Sequence, residues 1–576
     1  MPRMRVLASI ALVLVLGCSC GGGASSAPPP SSAASSTSGT VTITIVGTND
    51  LHGRIRSLPL LAGYVANLRA IRARDGGAVV MVDGGDVFQG TLESNLEEGA
   101  PIVRAYERLG YDAVTIGNHE FDYGPVGPAA TPHAPGDDPR GALRARIAES
   151  HFAWLNANLV MREGGAPAGL APPSTIVERD GVRVGVIGVT TEQTLTTTIA
   201  ANVADLAMRP LADAIASEAA RLRGEGVDAV VVAAHAGGVC QSFEDSHDLS
   251  SCDLHDEIFR VAEHLPVGAV DVIVAGHTHQ GVAHYVNGIA ISESRAYGRS
   301  FGRVDLVVDR GAHRVVSSTI FPPHDLCRAA PGPNDDPSAC EHDDYEGAPV
   351  VADAAVAEIV RGAMANADTQ RTRALGVTVV AAIRRAGDHE SALGNLFTDL
   401  MRASRPSADL AIYNGGGLRA DLPPGPLTYG AFYEALPFDN RFALVRSTGH
   451  EVAELFARDV SSGGSVLSVS GIRVIARCEG ESVRVALERS DGHPIGEAEP
   501  LTIVVSDFLA TGGDGFFEHA REHEGSVTIE DDPPMREAMV EVLSAHGGTL
   551  DPAALLDPAH PRIVVPGGER PLHCHP

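Results

Sequence analysis

Apolar and polar positions along the chain fall into two rhythms. Short runs rich in β-branched residues, at 41–46, 78–82, 113–116, 184–189, 229–234 and 270–275, read as buried strands. Between several of them, stretches at 58–74, 101–109 and 211–223 read as helices. Strand and helix in turn predict an α/β domain around a buried sheet. A Cys-, Pro- and Asp-rich stretch at 321–349 closes it, and an alanine-rich helix over 350–367 follows as a connector. A second α/β region runs from about 375 to 565, with strands at 410–413, 442–446 and 501–505. No internal repeat interrupts this order.

The only long apolar run lies at the start. Arg3 and Arg5 precede positions 6–16, too short to span a bilayer, and the run ends at Gly17-Cys18. This resembles a bacterial lipoprotein signal: 1–17 would be removed, and Cys18 would carry the lipid on a membrane facing the periplasm or cell surface. The Gly-, Ser-, Ala- and Pro-rich stretch 18–40 reads as a disordered tether.

Length and composition narrow the chemistry. The 576 residues, 44% of them hydrophobic, suffice for two or three cored domains. Reading along the chain finds no lysine, so all 44 basic residues are arginine. Lysine Schiff bases and P-loop phosphate cradles are therefore excluded. A net charge of −29 argues against a nucleic-acid surface and against nuclease action on polynucleotide. Beyond Cys18 and Cys20, six cysteines remain, and proximity suggests Cys240/Cys252 and Cys327/Cys340, leaving Cys478/Cys574. Six cysteines allow about 15 pairings, so spacing alone leaves the connectivity open; an oxidising compartment is the firmer inference.

The chemistry sits at strand ends. Asp50 and His52 follow the first run, Asp83 to Asp86 the second, and Gly117-Asn118-His119-Glu120 the third. His235 ends the run at 229–234, and Gly276-His277-Thr278-His279 follows 270–275. In an α/β sheet the crevice lies beyond the carboxyl ends of the strands, so these side chains can converge. Carboxylate, imidazole and amide oxygen, without thiol, suit Mn, Fe, Co or Zn. Asp-x-His, Gly-x-x-Asp, Gly-Asn-His-Glu and Gly-His-x-His in this order resemble the calcineurin-like metallophosphoesterase superfamily. The resemblance implies two divalent cations sharing a bridging hydroxide. Asp50, His52, Asp86 and His279 would hold one; Asp86, Asn118, His235 and His277 would hold the other. It also implies that His119 stabilises the transferring phosphoryl group or protonates the leaving group, with Asp122 orienting it.

The second region narrows the family. Gly394-Asn395, Asn414-Gly415-Gly416-Gly417-Leu418-Arg419, Leu436-Pro437-Phe438 and Phe508 through Gly512-Gly513-Asp514-Gly515-Phe516 occur in order. With the first region they resemble the secreted 5′-nucleotidases, a family that includes UDP-sugar hydrolases and cyclic-nucleotide phosphodiesterases. The resemblance covers about 41–565. It implies a metallophosphoesterase α/β sandwich over 41–325, a linker with the connector helix over 326–374, a substrate-binding α/β domain over 375–565 and a tail over 566–576. By the same resemblance Phe438 and Phe508 would sandwich a nucleobase, Asp514 would accept ribose hydroxyls, and Asn414 would bond near the base. Gly416 would allow close approach, and Arg419 would grip phosphate.

One departure stands out. Relatives carry an arginine seven residues before the glycine of Gly394-Asn395, where this chain has Gly387; Arg384 and Arg385 lie just upstream. Two other readings remain: a sulfur-oxidation thiosulfohydrolase of the same superfamily, and a non-catalytic surface lipoprotein that binds nucleotides. The paired phenylalanines and Asp514 favour a nucleoside over thiosulfate, and the complete ligand set counts against a dead site. Because metals and base would sit on different domains, the domains are expected to close around substrate, with the 350–367 helix as hinge connector.

Overall fold

Val41, Ile43 and Ile45 of the first strand, β1 (Thr40–Thr48), enter one apolar layer, while Val46 enters another. Burial on both faces explains why this run does not alternate with polar residues. In the computed structural model, which describes residues 39–329, 340–386, 389–462, 466–517, 525–530, 533–568 and 570–574, β1 pairs in parallel with β2 (Ala78–Asp83). The leader, Cys18, Cys20, nearly all of the 18–40 tether and Gly387 lie outside the described residues.

Two further parallel strands, β3 (Ala113–Thr115) and β4 (Ala153–Leu155), extend this sheet. The chain then builds a second sheet from β5 (Ser174–Arg179), β6 (Val182–Thr190), β7 (Ala229–His235), β8 (Val272–Val274), β9 (Gly281–Val286) and β10 (Ile289–Ser294). It returns to the first sheet with β11 (Ser300–Asp309) and β12 (Arg314–Asp325). The orders are β12-β11-β1-β2-β3-β4 and β9-β10-β8-β7-β6-β5; the first sheet is antiparallel at its β12-β11 side and parallel through to β4, and the second has a parallel centre with two antiparallel edges. The expected closing stretch at 321–349 thus begins inside a strand, because β12 runs on to Asp325.

Val80, Val82, Val184, Val186, Val231 and Val274 fill the layer between the sheets. Each such fully buried side chain contributes roughly 1.5–3 kcal/mol. Helices α1 (Leu58–Asp75) and α2 (Ala100–Leu109) cover the outside of the first sheet. Helices α3 (Leu211–Gly224) and α4 (Glu257–His264) cover the second. The parallel strands of both sheets deliver their carboxyl ends to one edge, where Thr48 lies opposite Asp83 and Thr190 opposite His235.

The connector helix α5 (Ala354–Arg371) starts where the Asp353 side chain accepts from the Ala355 and Val356 amides. Val356, Val360 and Ala363 pack into the first domain's core, and Ala367 into that of the second. That second region holds α6 (Ala392–Ser404), β13 (Leu410–Asn414), β14 (Phe442–Thr448), α7 (Gly449–Ser461), β15 (Leu467–Ser470), β16 (Pro500–Ser506), β17 (Val527–Ile529) and α8 (Met535–His546). Its main sheet runs β15-β13-β16-β14-β17. Three disulfides form, Cys240–Cys252, Cys327–Cys340 and Cys478–Cys574. Among the described residues, no helix is long and apolar enough to cross a membrane.

Candidate active site

The turns after β1, β2 and β8 leave regular geometry to aim side chains inward. Asp50, His52, Asp86, His277 and His279 all adopt left-handed backbone, with φ between 47° and 82°. Non-glycine residues hold such conformations only where the surroundings impose them. Here the turns are laced together: the Asp50 amide donates to the Gly85 carbonyl at 2.9 Å, and His52 to Asp86 at 3.0 Å. Gly117 has no room for a side chain, since a Cβ would lie 2.2 Å from Asp86 Oδ1.

Two groups of donors result, Asp50 with His52 and His279, and Asp86 with His235 and His277. Asn118 joins the second, its Oδ1 lying 2.9 Å from His235 Nε2. The two groups meet at Asp86, whose Oδ2 is 3.1 Å from His235 Nε2 and 3.7 Å from His52 Nε2. Backbone carbonyls fix the ring tautomers: His52 Nδ1 donates to Gln89 and His235 Nδ1 to Gly84, both at 2.8 Å. Each ring thereby presents its Nε2 to the site.

The donor set fits divalent cations. His52 Nε2 faces His279 Nε2 at 3.1 Å, and His235 Nε2 faces two oxygens, so lone pairs oppose one another unless a proton or cation lies between. Asp50 Oδ1 is buried without a hydrogen-bond donor. Burial opposes ionisation of Asp86, but His235 and His119 outweigh it and hold the carboxyl well below its usual range. Burial pushes His52 and His279 down, aided at His52 by Arg419, and with His235 it takes His277 down to about 3. Ionised carboxylates beside neutral imidazoles are the protonation states metal ligation needs. His235 runs the other way: burial opposes its charge, yet Asp86 raises its pKa to about 10, so a cation there has a proton to displace.

Beside these groups, His119 Nδ1 donates to Asp122 Oδ2 at 2.6 Å. Burial disfavours the imidazolium, but Asp122 and Asp86 more than offset this and raise its pKa. Since Asp122 occupies Nδ1, Nε2 is the nitrogen available to a ligand. A cavity of about 430 Å³ opens here, lined by Asp86, Asn118, His119 and His277 from the first domain and by Asn414, Gly416, Arg419, Phe438, Phe508 and Asp514 from the second. Every residue singled out for substrate binding therefore reaches this cleft. Asn414 Nδ2 donates to Asp514 Oδ2 at 2.8 Å, and Phe508 lies over Gly513, where a Cβ would come within 2.5 Å of its ring. The Phe438 ring stands 5.5 Å from that of His119, and Arg419 Nη2 donates to His52 Nε2 at 3.0 Å. Arg385 does not line this cavity but donates to the Leu418 carbonyl at 3.2 Å, next to Arg419.

Residues beyond the sequence candidates also brace this site. The Glu120 carboxylate accepts from the amides of Asp86, Val87 and Gly117, tying two ligand turns together. Burial, with Asp86 nearby, raises its pKa to about 7. Asn49 Nδ2 holds Asp50 Oδ2 at 2.7 Å, and Glu293 accepts from Thr278 and from the Gly238 amide. Glu120 lies inside a recognised motif with Gly117, but Asp86 and Val87 are more than 30 residues away, so no local pattern announces the tie between the two turns.

Residues 43–281 match the calcineurin-like phosphoesterase family model, and residues 365–521 match the 5′-nucleotidase C-terminal domain. The endonuclease YhcR of Bacillus subtilis is 27% identical over 492 residues; the match takes in 82% of this chain but only 37% of YhcR. A 5′-nucleotidase of Vibrio cholerae is 25% identical over 525 residues, covering 85% of this chain and 88% of that protein. The crystal structure of a 5′-nucleotidase precursor from Thermus thermophilus superposes with a TM-score of 0.69 at 24% identity, over 88% of this chain and 97% of that one. The two matched domains, in this order and around this cleft, place the chain in the 5′-nucleotidase family of calcineurin-like metallophosphoesterases, metal-dependent hydrolases of phosphoric esters.

Proposed function

We propose that the protein removes phosphate from nucleoside 5′-monophosphates outside the cytoplasm, with UDP-sugars and 2′,3′-cyclic nucleotides as further substrates. The observation that carries this reading is one cleft in which His119, Asp122 and the candidate ligands Asp86, Asn118, His277 and His279 face Phe438, Phe508, Asn414 and Asp514. Asp50, His52, Asp86 and His279 would hold one divalent cation, and Asp86, Asn118, His235 and His277 a second. When bound, such cations lower the pKa of attacking water and neutralise phosphate charge.

The remaining work falls to the chain. Arg419 offers a planar guanidinium to the phosphate, the role a lysine-free protein must give to arginine. The two phenylalanines stack on the base, worth about 1–3 kcal/mol per base and tolerant of its identity. Asp514 and Asn414 take the ribose and the base edge. As water attacks phosphorus and the P–O5′ bond breaks, His119 Nε2 stands ready to protonate O5′ or stabilise the phosphoryl oxygens, held by Asp122. The lipoprotein-type leader supports export and anchoring through Cys18, and the three disulfides suit an oxidising compartment.

The test is phosphate release from AMP, UMP, UDP-glucose and 2′,3′-cyclic AMP by chelated protein resupplied with Mn, Co or Zn. Turnover of a nucleoside monophosphate that depends on added metal is expected. Protein that binds metal yet turns over none of the four overturns the reading. His119→Ala is expected to lose turnover while keeping metal, and Asp86→Ala to lose the metal. Cys18→Ser is expected to move the protein from the membrane to the soluble fraction.

A further inference from the structure

The segment after β6 runs Thr191-Glu192-Gln193-Thr194-Leu195-Thr196-Thr197-Thr198, a threonine-rich stretch with no place in either domain's motifs. Its hydroxyls divide by what they bond: Thr191 reaches out to Glu257 Oε2 at 2.6 Å. Thr194 donates to the Thr191 carbonyl, and Thr196 and Thr197 both donate to Gln193, so all three serve their own turn. Thr198 does not. Its Oγ1 donates to Asp122 Oδ1 at 2.8 Å, across 76 residues of sequence, and the residue is 2% exposed. Asp122 thus has one oxygen on His119 Nδ1 and the other on Thr198. The preceding Thr197 carbonyl accepts from Asn118 Nδ2 at 3.2 Å, which turns the amide oxygen of Asn118 towards His235.

We propose that Thr198 is a positioning residue for the reaction: its hydroxyl fixes the Asp122 carboxylate and thereby the orientation of the His119 imidazole at the scissile phosphate. The inference rests on the phosphohydrolase reading above and deepens it. A carboxylate bonded only to the histidine rotates about its Cβ–Cγ bond and carries the ring with it. A second bond at the other oxygen removes that freedom. Because a misplaced catalytic group costs rate even when substrate still binds, the loss belongs in kcat. The same segment reaches the second domain, where its turn Thr194–Thr197 packs against Gly513–Gly515, which carries Asp514. Docking of a nucleoside against Asp514 therefore presses on the segment that aims the dyad.

The test compares Thr198→Val, which keeps the shape and deletes the hydroxyl, with Thr198→Ser, which keeps the hydroxyl. Metal-loaded Thr198→Val is expected to lower kcat on AMP by about tenfold, the scale of one hydrogen bond to a charged group, with KM, bound metal and thermal midpoint near wild type. Thr198→Ser is expected to restore kcat. In a His119→Asn background the Thr198→Val change is expected to have no further effect, since its route is gone. The proton between His119 Nδ1 and Asp122, followed by NMR as a downfield resonance, is expected to shift in Thr198→Val and return in Thr198→Ser. That signal needs no turnover, so it judges Thr198 even if wild-type protein hydrolyses no nucleotide. Wild-type kcat with an unshifted resonance overturns the proposal, as does a loss undiminished in the His119→Asn background or one that tracks lost metal.

Discussion

Glu120 receives amides from two ligand turns at once, so its removal leaves buried N–H groups unpaired beside both candidate cation positions. Glu120→Ala is expected to weaken metal retention by about 10–100-fold, the range for residues that support ligands, and Glu120→Gln by less, because an amide oxygen still accepts. Metal content after graded dialysis against chelator reads this directly. Gly513 supports the base in another way, since a Cβ there would sit 2.5 Å from the Phe508 ring. Gly513→Ala is expected to raise KM for AMP several-fold and leave KM for a small aryl phosphate nearly unchanged; equal rises would remove Phe508 from base recognition. Asp83 bears on stability instead. It is buried, and burial raises its carboxyl to about 7 despite bonds from Thr48, Gly85 and Tyr106. Between about pH 4 and 7 the native state therefore holds a proton that the unfolded chain has shed. Stability from this group is complete below its usual range and falls as pH rises, by at most about 1.4 kcal/mol per pH unit. Asp83→Asn, neutral throughout, is expected to flatten that part of the curve of denaturation midpoint against pH.

The elements carry a different kind of information. Covalent ties are expected to act on the unfolded chain: Cys478–Cys574 spans 96 residues, Cys327–Cys340 only 13. On loop-closure entropy the long tie contributes about 4.7 kcal/mol against about 3 for the short one. Cys478→Ala/Cys574→Ala is thus expected to lower the denaturant midpoint more than Cys327→Ala/Cys340→Ala, and the reverse order would show native contacts outweighing chain entropy. The same contrast of local and distant governs what the sequence discloses. The parallel strands β1, β2, β3 and β7 were readable because burial on both faces writes a continuous apolar run, and their ligands follow at once in the chain. Apolar periodicity does not disclose the antiparallel strands β9 and β10 of the second sheet or β11 and β12 of the first, although Asn287-Gly288 between β9 and β10, both with positive φ, is a hairpin signal. The brace at Thr198 and the bonds from Glu120 to Asp86 and Val87 are legible to no local rule, because a hydroxyl or carboxylate does not state which distant turn it will meet.

At the scale of the molecule, direct contacts tie together the two halves that form the cleft. Arg54 Nη1 donates to Glu434 Oε2 at 2.5 Å, and Arg56 lies 3.6 Å from both Glu434 and Glu93. Asn95 Nδ2 donates to the carbonyl of Pro437, just before Phe438. Since α5 buries Val356, Val360 and Ala363 in the first core, any rotation between the halves is expected at its C-terminal end, near Thr372, rather than along the helix. Glu434 pairs with both Arg54 and Arg56 across the cleft, in a protein of net charge −29. Glu434→Ala leaves Arg54 without its partner on the other half and is expected to favour the open arrangement. The radius of gyration in solution should rise without ligand, and KM for AMP should increase by about tenfold. A saturating non-hydrolysable nucleotide is expected to bring the variant back to the wild-type radius, because cations, base and phosphate still draw the halves together. Salt at 0.5 M is expected to open the wild type far less than the substitution does, since the pair is largely shielded from screening ions. An unchanged radius with unchanged KM would mean that packing at α5 alone sets the angle between the halves.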